Sequence, residues 1–147
     1  MSLKRFTVII AALISAAVPV LSQTVRVRRT VSVDGVTRQE YFEVYEYDYV
    51  WEKPSFPGGD VKLLQFINAH RHYPEAAYKA GIQGRVVCSF VVNADGAISD
   101  VQVFKGVEPS LNREAQRIFR MMPPWKPGRL DGIPVPVRVI RAVPFRK

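Results

Sequence analysis

Gln83-Gly84-Arg85-Val86-Val87-Cys88-Ser89-Phe90-Val91-Val92-Asn93 runs straight into Ala94-Asp95-Gly96 and then into Ala97-Ile98-Ser99-Asp100-Val101-Gln102-Val103-Phe104-Lys105-Gly106. Val86, Cys88, Phe90 and Val92 alternate with Val87, Ser89 and Val91, so both faces of 83–93 are largely apolar, as in a strand from the middle of a sheet. Asn93-Ala94-Asp95-Gly96 has turn chemistry, and a second strand over 97–105 pairs back as a hairpin that Gly106 closes.

Downstream, Leu111, Ala115, Ile118, Phe119 and Met122 make one apolar stripe on a helix capped near Ser110 or Asn112, and Pro123-Pro124 ends it. The last segment puts Val135, Val137, Val139, Val143 and Phe145 on one face, with Arg138 and Arg146 on the other. Pro136 and Pro144 cannot donate to a ladder on their side, which predicts an edge strand. Upstream, Ser55-Phe56-Pro57-Gly58-Gly59 is a rigid turn region. Asp60 is placed to cap a helix with Val61, Leu64 and Ile67 along one face, and a short helix over 75–80 follows Pro74 and stops at Gly81. The order helix, helix, strand, strand, helix, strand predicts an α+β fold: a small antiparallel sheet with helices packed on one face.

Two segments precede that unit. Over residues 23–53, Val25, Val27, Val31 and Val33 recur at odd positions, Asp34-Gly35 suits a tight turn, and Tyr45, Tyr47, Tyr49 and Trp51 share one side of a pleat, so a β-hairpin arm is expected. Residues 23–52 carry a net charge of −2, whereas residues 53–147 hold 15 basic and 7 acidic side chains, so a charge boundary near Lys53-Pro54 coincides with the expected domain boundary. Residues 1–22 read as a secretory signal peptide: Lys4 and Arg5, an apolar run from Phe6 to Val18, and small residues at Val20 and Ser22 before Gln23. That run is shorter than the roughly 20 residues of a spanning helix, so contact with a membrane is expected only if the segment stays uncleaved, as an inner-membrane anchor facing the periplasm.

The 147 residues are 48% apolar and 23% charged, the balance of a globular domain, and carry a net charge of +8, or +6 once Lys4 and Arg5 are removed. Export makes nucleic acid, ATP and NAD poor ligands, and no cofactor is expected. One cysteine, Cys88, supports neither an internal disulfide nor a Cys-rich zinc site, and its place in a central strand predicts buried packing. His70 and His72, two apart, lack metal-ligand spacing. Asp95 and Asp100 read as turn carboxylates rather than an acid/base pair, and no nucleophile, base and orienting group assemble, so no enzyme is expected. Gly81-x-x-Gly84 is followed by a strand, unlike the clamp of an RNA-binding KH module. Arg113, Arg117 and Arg120 form a basic helix stripe read as a solvated face, with anionic head groups or glycan as the sharper alternative. The Tyr/Trp stripe is expected to pack the arm onto the sheet rather than to bind sugar.

Phe56-Pro57-Gly58-Gly59, Tyr73-Pro74-Glu75-Ala76-Ala77, Gly81-Ile82-Gln83-Gly84-Arg85-Val86, Phe90 to Gly96, Leu111 with Glu114-Ala115, and Met122-Pro123-Pro124-Trp125-Lys126-Pro127-Gly128 occur in that order. In this order and spacing the chain resembles the TonB C-terminal domain in the form common in Bacteroidetes-type energy transducers, over residues 54–147. The resemblance implies a periplasmic domain that captures an extended segment of a TonB-dependent outer-membrane receptor by strand addition, in energy-coupled transport across the outer membrane. The partner-binding strand it implies comprises Val135, Val137, Arg138, Val139, Ile140, Arg141, Ala142 and Val143.

An exposed edge independently suits such capture, because unpaired backbone groups accept an added strand. About five main-chain bonds, each a net of roughly 1 kcal/mol, predict weak and reversible binding. Arg138 and Arg141 stand where an acidic peptide residue could meet them, or where charge merely guards the edge. A full transducer of this kind also has a membrane helix and a long Pro-rich spacer. The 31 residues of segment 23–53 reach roughly 100 Å when fully extended, and a hairpin halves that, so force transmission from the inner membrane is not expected. The alternative reading is a stand-alone periplasmic scaffold or a homodimerisation module.

Overall fold

The computed structural model describes residues 24–147; the expected signal peptide lies outside the described residues. In chain order the elements are β1 (Thr24–Val33), β2 (Val36–Glu46), a single 3-10 turn at Tyr47–Tyr49, α1 (Asp60–His70), α2 (Glu75–Lys79), β3 (Gly84–Val92), β4 (Ile98–Lys105), α3 (Pro109–Arg120), β5 (Gly128–Leu130), β6 (Ile133–Val135) and β7 (Val137–Phe145). The fold is α+β.

Asp34-Gly35 closes the first hairpin with both residues at positive φ, 52° and 77°, the twist a two-residue turn needs to bring Val33 opposite Val36. The same dipeptide recurs as Asp131-Gly132, at 51° and 76°, and closes a second small hairpin, β5 with β6. That hairpin is absent from the sequence reading, although its turn signal is identical. Val135 belongs to it, opposite Gly128, rather than to the last strand.

The main sheet has the order β1-β2-β7-β3-β4. β7 pairs antiparallel with β3 along its whole length, from Gly84 opposite Phe145 to Val92 opposite Val137. Its other side meets β2 in parallel only where Tyr45 faces Val137 and Glu46 faces Arg138. The last strand is therefore third of five, not a sheet edge as its prolines predicted. The prolines do mark a real asymmetry. Pro136 offers its carbonyl to the Tyr45 N–H at 2.9 Å, so residues of its parity, Pro144 included, turn their backbone groups away from β3, where no ladder donor is required of them.

Helices cover one face. Val86, Cys88, Phe90 and Val92 of β3 and Val139, Val143 and Phe145 of β7 bury themselves against Leu111, Ala115, Ile118 and Phe119 of α3. Phe90 stacks on Phe119 at 5.1 Å between centroids and meets Trp125 edge-on at 5.3 Å. The helix stripe is as its periodicity requires, but its cap is Glu108, whose carboxylate accepts from the N–H groups of Ser110 and Leu111, with Pro109 at the first position. On α1 the buried residues are Leu63 and Ile67, whereas Val61 and Leu64 are 69% and 52% exposed. The helix is rotated from the face expected, because it buries the i, i+4 pair 63 and 67 rather than the i, i+3 series 61, 64 and 67. Gly59 is its N-cap, and Asp60 sits in the first turn, where its charge favours the helix dipole.

The second face explains why Ser89 and Val91 are buried as well. Arg29 of β1 donates from Nε and Nη2 to the Asp100 carboxylate of β4 at 2.8 and 2.6 Å, and from Nη2 to Asn93 and Ser99. Strands at opposite ends of the sheet order thus meet through side chains, so the sheet curls and carries the β1–β2 hairpin back across the face that helices leave open. A cavity of about 280 Å³ remains beneath it, between Val25 and Arg28 on one wall and Ser89, Gln102 and Arg138 on the other. The arm is part of the main sheet, and the charge boundary at Lys53-Pro54 is not a structural break. Ser55 and Lys126 exchange both backbone bonds, at 3.0 and 2.8 Å, and the Arg129 N–H donates to Glu52 C=O at 2.8 Å.

Candidate functional site: the open stretch of the last strand

A strand turns the N–H and C=O of each residue to one side and those of the next residue to the other. In β7 the register with β3 is unbroken, so Val137, Val139, Arg141, Val143 and Phe145 share one backbone direction, and Pro136, Arg138, Ile140, Ala142 and Pro144 share the other. β2 occupies the second direction at Pro136 and Arg138, then leaves at the 3-10 turn. From Ile140 to Pro144 that side carries no strand among the described residues. Ala142 therefore presents a donor and an acceptor and Ile140 a donor, while the Ile140 and Pro144 carbonyls already accept from Arg141 Nη1 at 2.9 Å and Arg71 Nη1 at 2.8 Å.

Side chains frame this open stretch. Tyr47, at the point where β2 departs, lies under two cations, with Lys53 Nζ 4.7 Å and the Arg141 guanidinium 5.3 Å from its ring centroid. At the far end Arg71, the residue capping α1, donates to the Pro144 carbonyl at 2.8 Å. Beyond it a cleft of about 370 Å³ is lined by Leu64, Asn68, Arg71, Arg85, Pro144 and Arg146.

The implied partner-binding residues separate into classes. Val135 is elsewhere, in β6. Val137, Val139 and Val143 are buried core. Arg138 is paired with Glu46 of β2 in the ladder, and the Glu46 carboxylate also holds its guanidinium at 2.7 Å. Arg141 lies on Tyr47 and donates to its neighbour's carbonyl, Ile140, at 2.9 Å. Ile140, 37% exposed, and Ala142 are the pair whose outward N–H groups are available, together with the Ala142 carbonyl. The arginines flanking the open stretch are Arg71, Arg85 and Arg146. Sequence reasoning passed over them because they come from three separate elements.

Other candidates have structural partners. Burial pushes the Cys88 thiol up to about 11, with Arg120 pulling weakly the other way. His70 Nδ1 sits 2.8 Å from the Phe66 carbonyl, and the two rings lie 4.2 Å apart. Arg117 leaves the basic stripe to bind Glu114 at 2.6 Å and the His70 carbonyl at 2.7 Å. Glu114 also accepts from the His72 N–H at 2.6 Å; burial pushes its carboxyl up, but the bonds from Arg117 and His72 and their charges outweigh this and hold it below the usual range. Asp95 accepts from the Ala97 N–H at 2.9 Å. The aromatic stripe divides: Tyr45 is buried, its hydroxyl's pKa raised by burial and then by Glu43, while Tyr49 and Trp51 project, Trp51 being 93% exposed. Among the described residues no helix is long and apolar enough to cross a membrane.

Comparison with known proteins matches the sequence to a family profile. Residues 69–146, which include β3, β4, α3 and β7, match the profile of the Gram-negative bacterial TonB protein C-terminal. The protein TonB of Helicobacter pylori strain J99 is 40% identical over 45 residues, 31% of this chain, and that of strain 26695 matches equally. The chain spans only 16% of the length of these relatives. Two solution structures of the Helicobacter pylori TonB C-terminal domain are each 26% identical, one covering 59% of this chain and 80% of its own with a TM-score of 0.42, the other 58% and 89% with 0.44. With more than half of its residues inside the family profile, the chain belongs to the family of TonB C-terminal domains of Gram-negative bacteria.

Proposed function

We propose that the chain is a periplasmic, non-catalytic binding domain, exported by its N-terminal segment, that takes up an extended segment of a TonB-dependent outer-membrane receptor as an added strand on β7, in energy-coupled transport across the outer membrane. The observation that carries this is the half-paired last strand: covered by β3 throughout, covered by β2 only at Val137 and Arg138, and open at Ile140 and Ala142. A segment laid there continues the line that β2 abandons at Glu46. Main-chain bonds supply the affinity and the flanking side chains the selectivity.

Ala142→Pro tests it. Proline at this parity removes an outward donor without touching the β3 ladder, and Pro136 and Pro144 already occupy equivalent positions. Proline at Val139 would instead break the bond network with Phe90. In a titration with peptides tiled from receptor N-terminal segments, the wild-type chain should show saturable binding, and Ala142→Pro should fold normally and lose it. No saturable peptide, together with tight self-association of the chain, would replace receptor capture with a scaffold or dimerisation role.

A further inference from the structure

Arg29, Arg117 and Arg138 are each held by a carboxylate of the same chain. The cleft at the far end of the open stretch is different. It brings together Arg71, Arg85 and Arg146, and no carboxylate among the described residues pairs with any of them. Arg71 uses one Nη on the Pro144 carbonyl, which leaves most of its five donors unused. Arg85 stands opposite Pro144 in the β3–β7 ladder, and Arg146 is two residues further along the chain, so both belong to the same face of the sheet. Three guanidinium groups around one recess repel one another, and an entering anion relieves that repulsion.

Position selects the anion. The Pro144 carbonyl continues the row of Ile140 and Ala142, so a strand laid on that row delivers the side chain at its Pro144 end to the mouth of the cleft. A carboxylate there accepts paired N–H bonds from a planar guanidinium, and Leu64 offers an apolar wall to its methylene stem. We infer that this cleft is a subsite for a carboxylate carried by the captured strand. The inference rests on strand capture at β7 and gives that capture its selectivity, a preference for an acidic residue at one end of the segment.

The experiment titrates the full chain, followed by NMR, with three Thr-Val repeat peptides acetylated and amidated at their ends: one with Glu near its N-terminus, one with Glu near its C-terminus, one with Gln at both places. The Ile140 and Ala142 amides should shift with all three. One Glu peptide should bind about tenfold tighter than the Gln peptide, move the Nε signals of Arg85 and Arg146, and lose its advantage in the Arg85→Gln/Arg146→Gln double variant and in raised salt. A Gln peptide with a free C-terminal carboxylate that matches the Glu peptide supports the subsite and identifies its source as a chain end. Equal affinity of the capped Glu and Gln peptides overturns the subsite while leaving strand capture in place, and no shift at Ile140 or Ala142 with any peptide overturns both. Binding to phosphatidylglycerol vesicles that the double variant abolishes, without Glu preference among peptides, overturns it in favour of lipid.

Discussion

Gly96 shows how one missing side chain holds two parts of the fold together. It sits at φ 88°, and a Cβ there would lie 2.2 Å from the carbonyl oxygen of Trp125, whose own N–H donates to Gly96 C=O at 2.8 Å. Gly96→Ala combines backbone strain with a clash against main chain and should cost about 2–4 kcal/mol, measured by urea denaturation. Glu114 makes a second residue-scale prediction. Its pKa is depressed in the folded chain, so the stability it contributes is complete above the ordinary carboxylate range and is lost as pH falls through the folded value. Unfolding free energy should therefore fall more steeply on acidification in the wild type than in Glu114→Gln; parallel curves would assign Glu114 no titration role. Both positions are visible in the sequence as a turn glycine and a helix carboxylate. Their partners, Trp125 and the His72 N–H, lie 29 and 42 positions away, beyond the reach of local pattern.

Among the elements, α1 and β7 carry the sharper lessons. An apolar stripe on an 11-residue helix can be drawn through Leu63 or through Leu64, and only the neighbours that bury it choose between them. Leu63→Ala should destabilise by about 2–5 kcal/mol, whereas Leu64→Ala should stay within about 0.5 kcal/mol, a contrast that thermal melts of the two variants measure. In β7 the proline parity was legible and pointed to the correct side of the strand. It did not reveal that β2 would occupy the first part of that side, because a two-residue parallel contact across some 90 positions leaves no trace in either strand's own alternation.

For the whole molecule, the hairpin fold-back is the organising event. The Arg29–Asp100 pair, with side chains 27% and 12% exposed, fastens β1 to β4, and Asp100 does so from a positive φ of 54° beside a register shift in the β3–β4 pairing. Asp100→Asn keeps a residue that tolerates this φ while removing the charge. Hydrogen exchange should then quicken across β1 and β2, with local opening made easier by about 1–3 kcal/mol, while β3 and β7 keep their protection. Uniform loss of protection would show instead that the hairpin and the helix-covered sheet open as one unit.

Alternation in 83–93, the turns at Asp34-Gly35 and Asn93 to Gly96, the helix-ending Pro123-Pro124 and the stripe from Leu111 to Met122 are local properties. Sequence alone was enough for the α+β class, the β3–β4 hairpin, the main helix, the buried cysteine and the family resemblance. Strand order, the rotation of α1, the fold-back of the first hairpin and the meeting of Arg71, Arg85 and Arg146 were decided by tertiary structure. Each depends on which distant surface a segment buries or pairs with, and hydrogen bonds and apolar burial between segments far apart in the chain are encoded in no single segment's pattern.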